Sequence, residues 1–286
     1  MHGIARLECQ DEAACFQILT LRSLQGHCFW SPLPLVPSTI REVLSVRSEL
    51  PRTENRAGAG SSLVPSEAVK ILSVNVGLPR EVEWRGKPVR TSIFKAPVSG
   101  RIRVSRLNLQ GDQQSDLSVH GGSDKAVYAY PSEHHAFWRE ELPTADLSWG
   151  AFGENLTTEG LLEDQVCIGD QIRCGSAELV VTQPRMPCFK LGIRFNRPEI
   201  VKRFQRSGRT GFYFAVLREG DVAAGDPLEL IVSVEDRVSV AEVARLFTAD
   251  SADPGLLRRV SELPALPEDW RDHFRSRLSD PDTSLQ

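Results

Sequence analysis

None of the six cysteines (Cys9, Cys15, Cys28, Cys167, Cys174 and Cys188) forms a Cys-x-x-Cys pair, so neither a zinc knuckle nor a thioredoxin-like dithiol is indicated. Thiols scattered in this way read as reduced and cytoplasmic. No run approaches the ~18 apolar residues of a membrane helix. The N-terminal stretch carries Glu8, Asp11 and Glu12 and lacks the clean apolar segment of a secretory signal. The formal net charge is −4, so there is no global basic footprint for nucleic acid. No Gly-x-Gly-x-x-Gly follows a strand, which argues against a Rossmann cofactor site. The absence of Gly-x-Ser-x-Gly and His-Glu-x-x-His removes support for serine hydrolases and zincins. The phosphate-loop spacing is missing as well.

What remains is an ordinary globular composition, 41% hydrophobic and 25% charged, in 286 residues, enough for one large domain or two modest ones. Residues 1–66 show no sustained apolar period, and Pro51 to Ser62 reads as a flexible linker. This region is expected to be mostly disordered, with a short regulatory arm or a true start near Val64 or Val69 as alternatives. From Ala68 onward, short β-branched runs alternate with turn pairs such as Gly111-Asp112, Gly169-Asp170, Gly175-Ser176 and Gly225-Asp226. Strands are expected over 69–76, 89–94, 101–104, 127–130, 165–174, 178–182, 211–217 and 228–234, in a barrel-like β domain over 67–235. Helices are expected over about 132–142 and 198–207. Residues 236–286 then switch to a helical period. Ser239 and Glu242 form a capping box, Asp253-Pro254 opens a second helix and Pro267-Glu268-Asp269 a third, giving a small three-helix bundle. That segment has seven basic against ten acidic residues, and its arginines form no nucleic-acid stripe.

Four segments can carry chemistry. In Gln183-Pro184-Arg185-Met186-Pro187-Cys188, the prolines imply a rigid loop, and Arg185, Lys190 and Arg194 favour a thiolate. On spacing alone, a buried structural thiol is the simpler reading of Cys188, as it is for Cys167 and Cys174. His120-Gly121-Gly122-Ser123-Asp124-Lys125 brings an acid/base group and charges to a backbone that can approach a ligand closely, or it is a polar turn. Phe152-Gly153-Glu154-Asn155-Leu156 sets Glu154 and Asn155 in an apolar frame. Lys95 is the lone charge of Ser92-Ile93-Phe94-Lys95-Ala96-Pro97-Val98. The adjacent His134 and His135 splay about 100° apart on a helix and cannot chelate together.

These segments occur together and in one order: Ile93-Phe94-Lys95-x-Pro-Val, then Gly111-Asp112-Gln113-x-x-Asp116 with His120-Gly121-Gly122-x-Asp124-Lys125-Ala126-Val127-x-x-Tyr130, then Phe152-Gly153-Glu154-Asn155-Leu156, then Gln183-Pro184-Arg185-x-Pro187-Cys188-x-Lys190-Leu191. The combination resembles the MOSC domain, shared with the C-terminal part of molybdenum cofactor sulfurases. The helices behind it resemble the 3-alpha domain of the YiiM-like branch, which is linked to resistance against 6-N-hydroxylaminopurine. The likeness spans about residues 68–280.

The resemblance implies a mainly β fold of the pyruvate-kinase-barrel type followed by three helices. It implies a molybdenum cofactor with Cys188 as the protein ligand to the metal, in keeping with the softness of thiolate. Lys95, Lys125 and Arg185 are expected to meet the pterin phosphate, Arg185 bidentately. Gly121, Gly122, Asp124, Glu154 and Asn155 are expected to contact the cofactor. The implied reaction is reduction of an N-hydroxylated base or amine, with His120 or Lys125 as proton donor. Electrons would come from a separate reductase, since no nicotinamide, flavin or iron–sulfur motif occurs here. Pyridoxal phosphate is also associated with the family; in the sulfurases it belongs to a separate domain absent from this chain, and it is not expected. Two alternatives use the same residues: sulfur transfer through a Cys188 persulfide, and a non-catalytic cofactor-binding protein that docks a reductase. No nucleic acid or membrane partner is expected.

Overall fold

The computed structural model describes residues 69–115, 121–249 and 252–279. Expectations for residues 1–66, for His120 and for Cys9, Cys15 and Cys28 lie outside the described residues. The β-branched runs become short strands: β1 (Lys70–Val76), β2 (Arg80–Trp84), β3 (Lys87–Thr91), β4 (Ala96–Pro97), β5 (Ile102–Val104), β6 (Val127–Pro131), β7 (Leu156–Glu159), β8 (Gln171–Cys174), β9 (Ala177–Pro184), β10 (Phe212–Arg218), β11 (Gly220–Val222) and β12 (Leu228–Val232). Eight of them form one sheet in the order β12-β8-β9-β10-β6-β7-β1-β4. Its pairs are antiparallel except β6 with β7. The start of β12 returns to β1: Ile71 N–H donates to Asp226 O (3.0 Å) and Leu228 N–H to Val69 O (2.9 Å), around a Lys70–Pro227 bridge. The sheet therefore curls back on itself as the expected barrel, which leaves β1 without an open edge at that end.

Two local expectations are corrected. The expected strand 165–174 shrinks to β8, because 165–170 turns twice, with Asp170 accepting from the Cys167 N–H (2.9 Å). The expected strand 89–94 is instead the second arm of a hairpin, β2–β3. Its two-residue turn, Arg85-Gly86, has φ of 53° and 73°, the doubly left-handed turn that matches strand twist. Arginine is an unusual residue for that position, which is why the turn gave no sequence signal.

Three helices pack on the aromatic side of the barrel: α1 (His134–Glu141), α2 (Phe189–Phe195) and α3 (Ile200–Ser207). Three follow it: α4 (Val240–Thr248), α5 (Pro254–Glu262) and α6 (Glu268–Leu278). The Ser239–Glu242 capping box and the Asp253 cap are both present. Val240, Val243, Leu257, Val260 and Phe274 share one core with Val166, Ile168, Leu179 and Val181 of the barrel. Each such side chain contributes about 1.5–3 kcal/mol on burial, enough to hold helices too short to be stable alone. A second core is aromatic. Tyr128, Tyr130, Trp138, Phe152 and Phe204 pack with Ile93 and Leu191 under α1–α3. No helix among the described residues is long and apolar enough to cross a membrane.

Candidate active site

The loop that carries Cys188 is built where β9 leaves the sheet beside β10. Pro184 still pairs with Phe212, since a strand's last residue can forgo its N–H. The expected loop thus begins only at Arg185, whose N–H donates to Gly211 O (3.0 Å). Cys188 follows in extended conformation (φ −123°, ψ 175°) and opens α2 as its N-cap, with its carbonyl accepting from Leu191 N–H (2.9 Å). Its side chain is half-buried, whereas Cys167 and Cys174 are buried. Burial pushes the Cys167 thiol up, and the Cys174 thiol up to about 12, so both are inert core groups.

Cys188 lies in an open cleft of about 100 Å³. Of the sequence candidates, Lys95, Lys125, Asn155, Arg185 and Cys188 line it. Gly121, Gly122, Asp124 and Glu154 do not. Asp112, Lys190, Tyr128, Tyr213 and Ser92 join the lining. Asp112 stands inside one of the sequence motifs with no site role read from it, and Lys190 is expected from sequence only to favour the Cys188 thiolate. Tyr213 comes from a strand whose sequence has no local mark of function, and only the β9–β10 pairing brings it here.

The charges differ in how they are met. Lys95 forms an ion pair with Asp112, whose carboxylate also accepts from Gly77 N–H (2.8 Å) and Asn155 Nδ2 (2.9 Å). Burial lowers the Lys95 pKa and the Asp112 charge works against that shift. Arg185 is only 5% exposed and makes no ion pair with a carboxylate among the described residues. Its guanidinium lies over the Tyr128 ring at 4.8 Å and the Phe204 ring at 5.3 Å, and reaches the Tyr128 hydroxyl at 3.5 Å. Among the described residues Lys190, 8% exposed, reaches only the Ser115 hydroxyl at 3.4 Å. Cation–π contacts repay part of a buried charge's desolvation. They do not replace a counter-ion.

Glu154 and Asn155 serve the scaffold. Glu154 accepts from Gly150 N–H (2.6 Å), Phe152 N–H (3.0 Å) and Thr157 hydroxyl (3.0 Å) and closes its own loop; burial pushes its carboxyl up against those three donors. At Gly150 (φ +86°) a Cβ would sit 2.8 Å from Lys95 O, so the loop presses onto the Lys95 segment. Asn155 accepts from Tyr128 N–H (3.1 Å) and donates to Asp112 and to Asn75 O (3.3 Å), tying β1 and β6 to the cleft floor. The 3₁₀ turn Ser123–Lys125 is anchored by Thr182 hydroxyl donating to Asp124 O (2.7 Å).

His134 contacts Glu163 (2.7 Å), and His135 is buried beside Tyr130, Trp149 and Phe152, with neither ring nitrogen in a well-formed hydrogen bond among the described residues. No group of three His, Cys, Asp or Glu comes together among the described residues. The donor set at the cleft instead fits an anionic, thiolate-ligated cofactor. Among the described residues it holds one half-buried thiol, two buried cations without carboxylates, and a buried Ser92 Oγ with no hydrogen-bond partner.

Comparison with known proteins gives two family matches: the MOSC domain over residues 116–229 and the YiiM-like 3-alpha helix domain over residues 238–280. The Lys95 segment precedes the matched range. The protein YiiM of Escherichia coli (strain K12) is 40% identical over 197 residues, covering 68% of this chain and 87% of that protein. The crystal structure of YiiM from Geobacillus stearothermophilus superposes with a TM-score of 0.62 at 35% identity, covering 73% of this chain and 99% of that one. A protein of Gibberella moniliformis named "Reductase" is 37% identical over 182 residues, which are 63% of this chain but 32% of that longer protein.

Proposed function

The chain belongs to the MOSC family, in its YiiM-like branch with a 3-alpha domain, and on that premise we propose that it is a molybdenum-cofactor-dependent reductase of N-hydroxylated bases and amines. The net reaction is R–NHOH with two electrons and two protons giving R–NH₂ and water. The observation that carries this reading is the buried Arg185 guanidinium beside Cys188, with no carboxylate paired to it among the described residues. A cation so placed needs an anion from outside the described fold, and the thiol beside it is a soft metal ligand.

Cys188 would ligate the metal, and Arg185 with Lys190 would hold the cofactor's anionic end. The Lys95–Asp112 pair is already neutral and serves to fix the cleft wall. When bound, the cofactor supplies the two-electron chemistry at the N–O bond. The protein's share is to bind and orient. Lys125 lines the cleft and would deliver a proton to the departing oxygen; His120, outside the described residues, is the other candidate. The partially apolar floor beneath, Tyr128 and Phe204, limits water around Arg185 and strengthens its hold on an anion. The Gibberella moniliformis relative, matched over 32% of its length, is named a reductase, in keeping with this reading.

The test is the metal and pterin content of protein purified from molybdenum-replete cells, beside Cys188→Ala. Near-stoichiometric molybdenum in the wild type, lost at least tenfold in the variant, supports the ligand assignment, on the order of a 1.4 kcal/mol or greater change in binding. Equal metal in both contradicts it. Metal-free protein carrying cyanide-releasable sulfur at Cys188 assigns the chain to sulfur transfer instead.

A further inference from the structure

Basic residues are unevenly spread. The whole chain carries −4, yet residues 77–115 hold eight basic against three acidic side chains. Arg101 and Arg103 are taken up by Asp226, Glu219 and Asp221. The β2–β3 hairpin is different. Arg85, Lys87 and Arg90 are exposed and form no ion pair among the described residues. Its register sorts the charges by face. Arg80 pairs with Thr91 and Trp84 with Lys87, so these four share one face with Val82 and Val89; Glu81, Glu83 and Arg90 lie on the other. The first face is the one turned toward the cleft. Thr91 lines the cleft, Trp84 lies against Gly192 of α2, and Arg80 covers the Phe94 ring at 3.4 Å.

The same rim holds exposed apolar side chains. Among the described residues, five large apolar side chains are exposed, and three of them belong to cleft segments. Leu78 (65% exposed) follows Gly77, which bonds to Asp112 and Gln113. Leu107 (54%) accepts through its carbonyl from the cleft-lining Gln114. Phe189 (47%) directly follows Cys188. A half-apolar rim with unpaired cations at its edge is the make-up of a protein docking face. The few cations and the absence of an aromatic stacking run fit a nucleic acid poorly.

We propose that the cleft mouth, edged by Arg80, Arg85 and Lys87 and by Leu78, Leu107 and Phe189, is the docking face for an electron-donating protein with an acidic contact surface. The inference rests on the reductase reading, because a cleft that reduces a substrate must take two electrons from a donor that can bring its own redox group to the cleft mouth. The acidic partner follows from charge complementarity.

The test uses an acidic plant-type [2Fe–2S] ferredoxin with its NADPH reductase as donor, and reduced methyl viologen as a small donor that needs no docking. The variant is Arg85→Glu/Lys87→Glu, both exposed and outside the cleft. We expect kcat/KM for ferredoxin to fall about tenfold and to lose most of its salt dependence, while viologen-driven turnover stays within about twofold. Equal ferredoxin kinetics in both proteins overturns the docking face. Direct titration of ferredoxin at low salt reads the face without turnover: weaker binding by the variant upholds it even where neither donor drives reduction, an outcome that would sink the reductase reading alone. Equal or absent binding overturns it. So does concentration-dependent self-association at the same salt that the variant abolishes, which would assign the face to a second copy.

Discussion

The arginines of the three-helix tail and those of the cleft live under opposite rules. In the tail, Arg259 meets Asp236 and Arg275 meets Glu268 and Asp272 at the surface, while the half-buried Arg271 meets Glu268. In the cleft, Arg185 and Lys190 are buried and meet no carboxylate among the described residues. Solvent already hydrates Arg259 and Arg275, so their pairs are incidental to stability. Arg185 and Lys190 have lost their water and, among the described residues, received only rings and hydroxyls in exchange. Where a fold keeps such a charge, the missing partner is the thing to look for.

The sharpest way to break this contrast is to give the cleft a third unmatched cation. Asp112→Asn leaves Lys95 buried without its counter-ion and should cost about 3–5 kcal/mol in urea unfolding. A loss below about 1 kcal/mol would mean that the cleft tolerates bare charge and that Arg185 signals nothing. Next in size is a buried group that avoids charge altogether. His135 is held neutral, its pKa lowered to about 4, chiefly by burial. The unfolded chain takes up that proton first, near the ordinary value of 6.5, so stability is lost as pH falls from about 6.5 toward 4. His135→Phe should therefore lose less stability than wild type between pH 7 and pH 4.5, by on the order of 2 kcal/mol. Identical pH profiles would refute the assignment. The smallest effect belongs to the tail: Arg259→Ala should leave the melting temperature unchanged, and a clear drop would show that its surface pairs do contribute.

The tail was legible in the sequence because its signals are local. Ser239 with Glu242, and Asp253 before Pro254, announce helix starts within four residues, and the structure has both caps. The barrel was legible as a class from alternating runs and turn pairs. Its boundaries were not, because the two-residue strand β4 depends on a distant partner and the Arg85-Gly86 turn puts an unusual residue at a left-handed position. The short helix α2 went unforeseen for a related reason. Its burial of Lys190 and Gly192 is set by Ser115 and Trp84, far away in sequence. At the site, Cys188, Arg185, Lys95, Lys125 and Asn155 were legible as motif residues and do share the cleft. Glu154 looked like a ligand-binding acid, yet its oxygens are spent on its own loop. A motif marks residues that must be kept without saying whether the need is chemical or architectural.

Arg185 is proposed to be a charge kept for an anion from outside the described residues, and the decisive measurement is Arg185→Met in two states of the protein. In the metal-free protein the variant should unfold at a denaturant midpoint equal to or above wild type, since a desolvated cation has been exchanged for apolar volume. Protein from molybdenum-replete cells should retain at least tenfold less pterin in the variant. A metal-free variant destabilised by several kcal/mol, or one that keeps its pterin, would contradict the account.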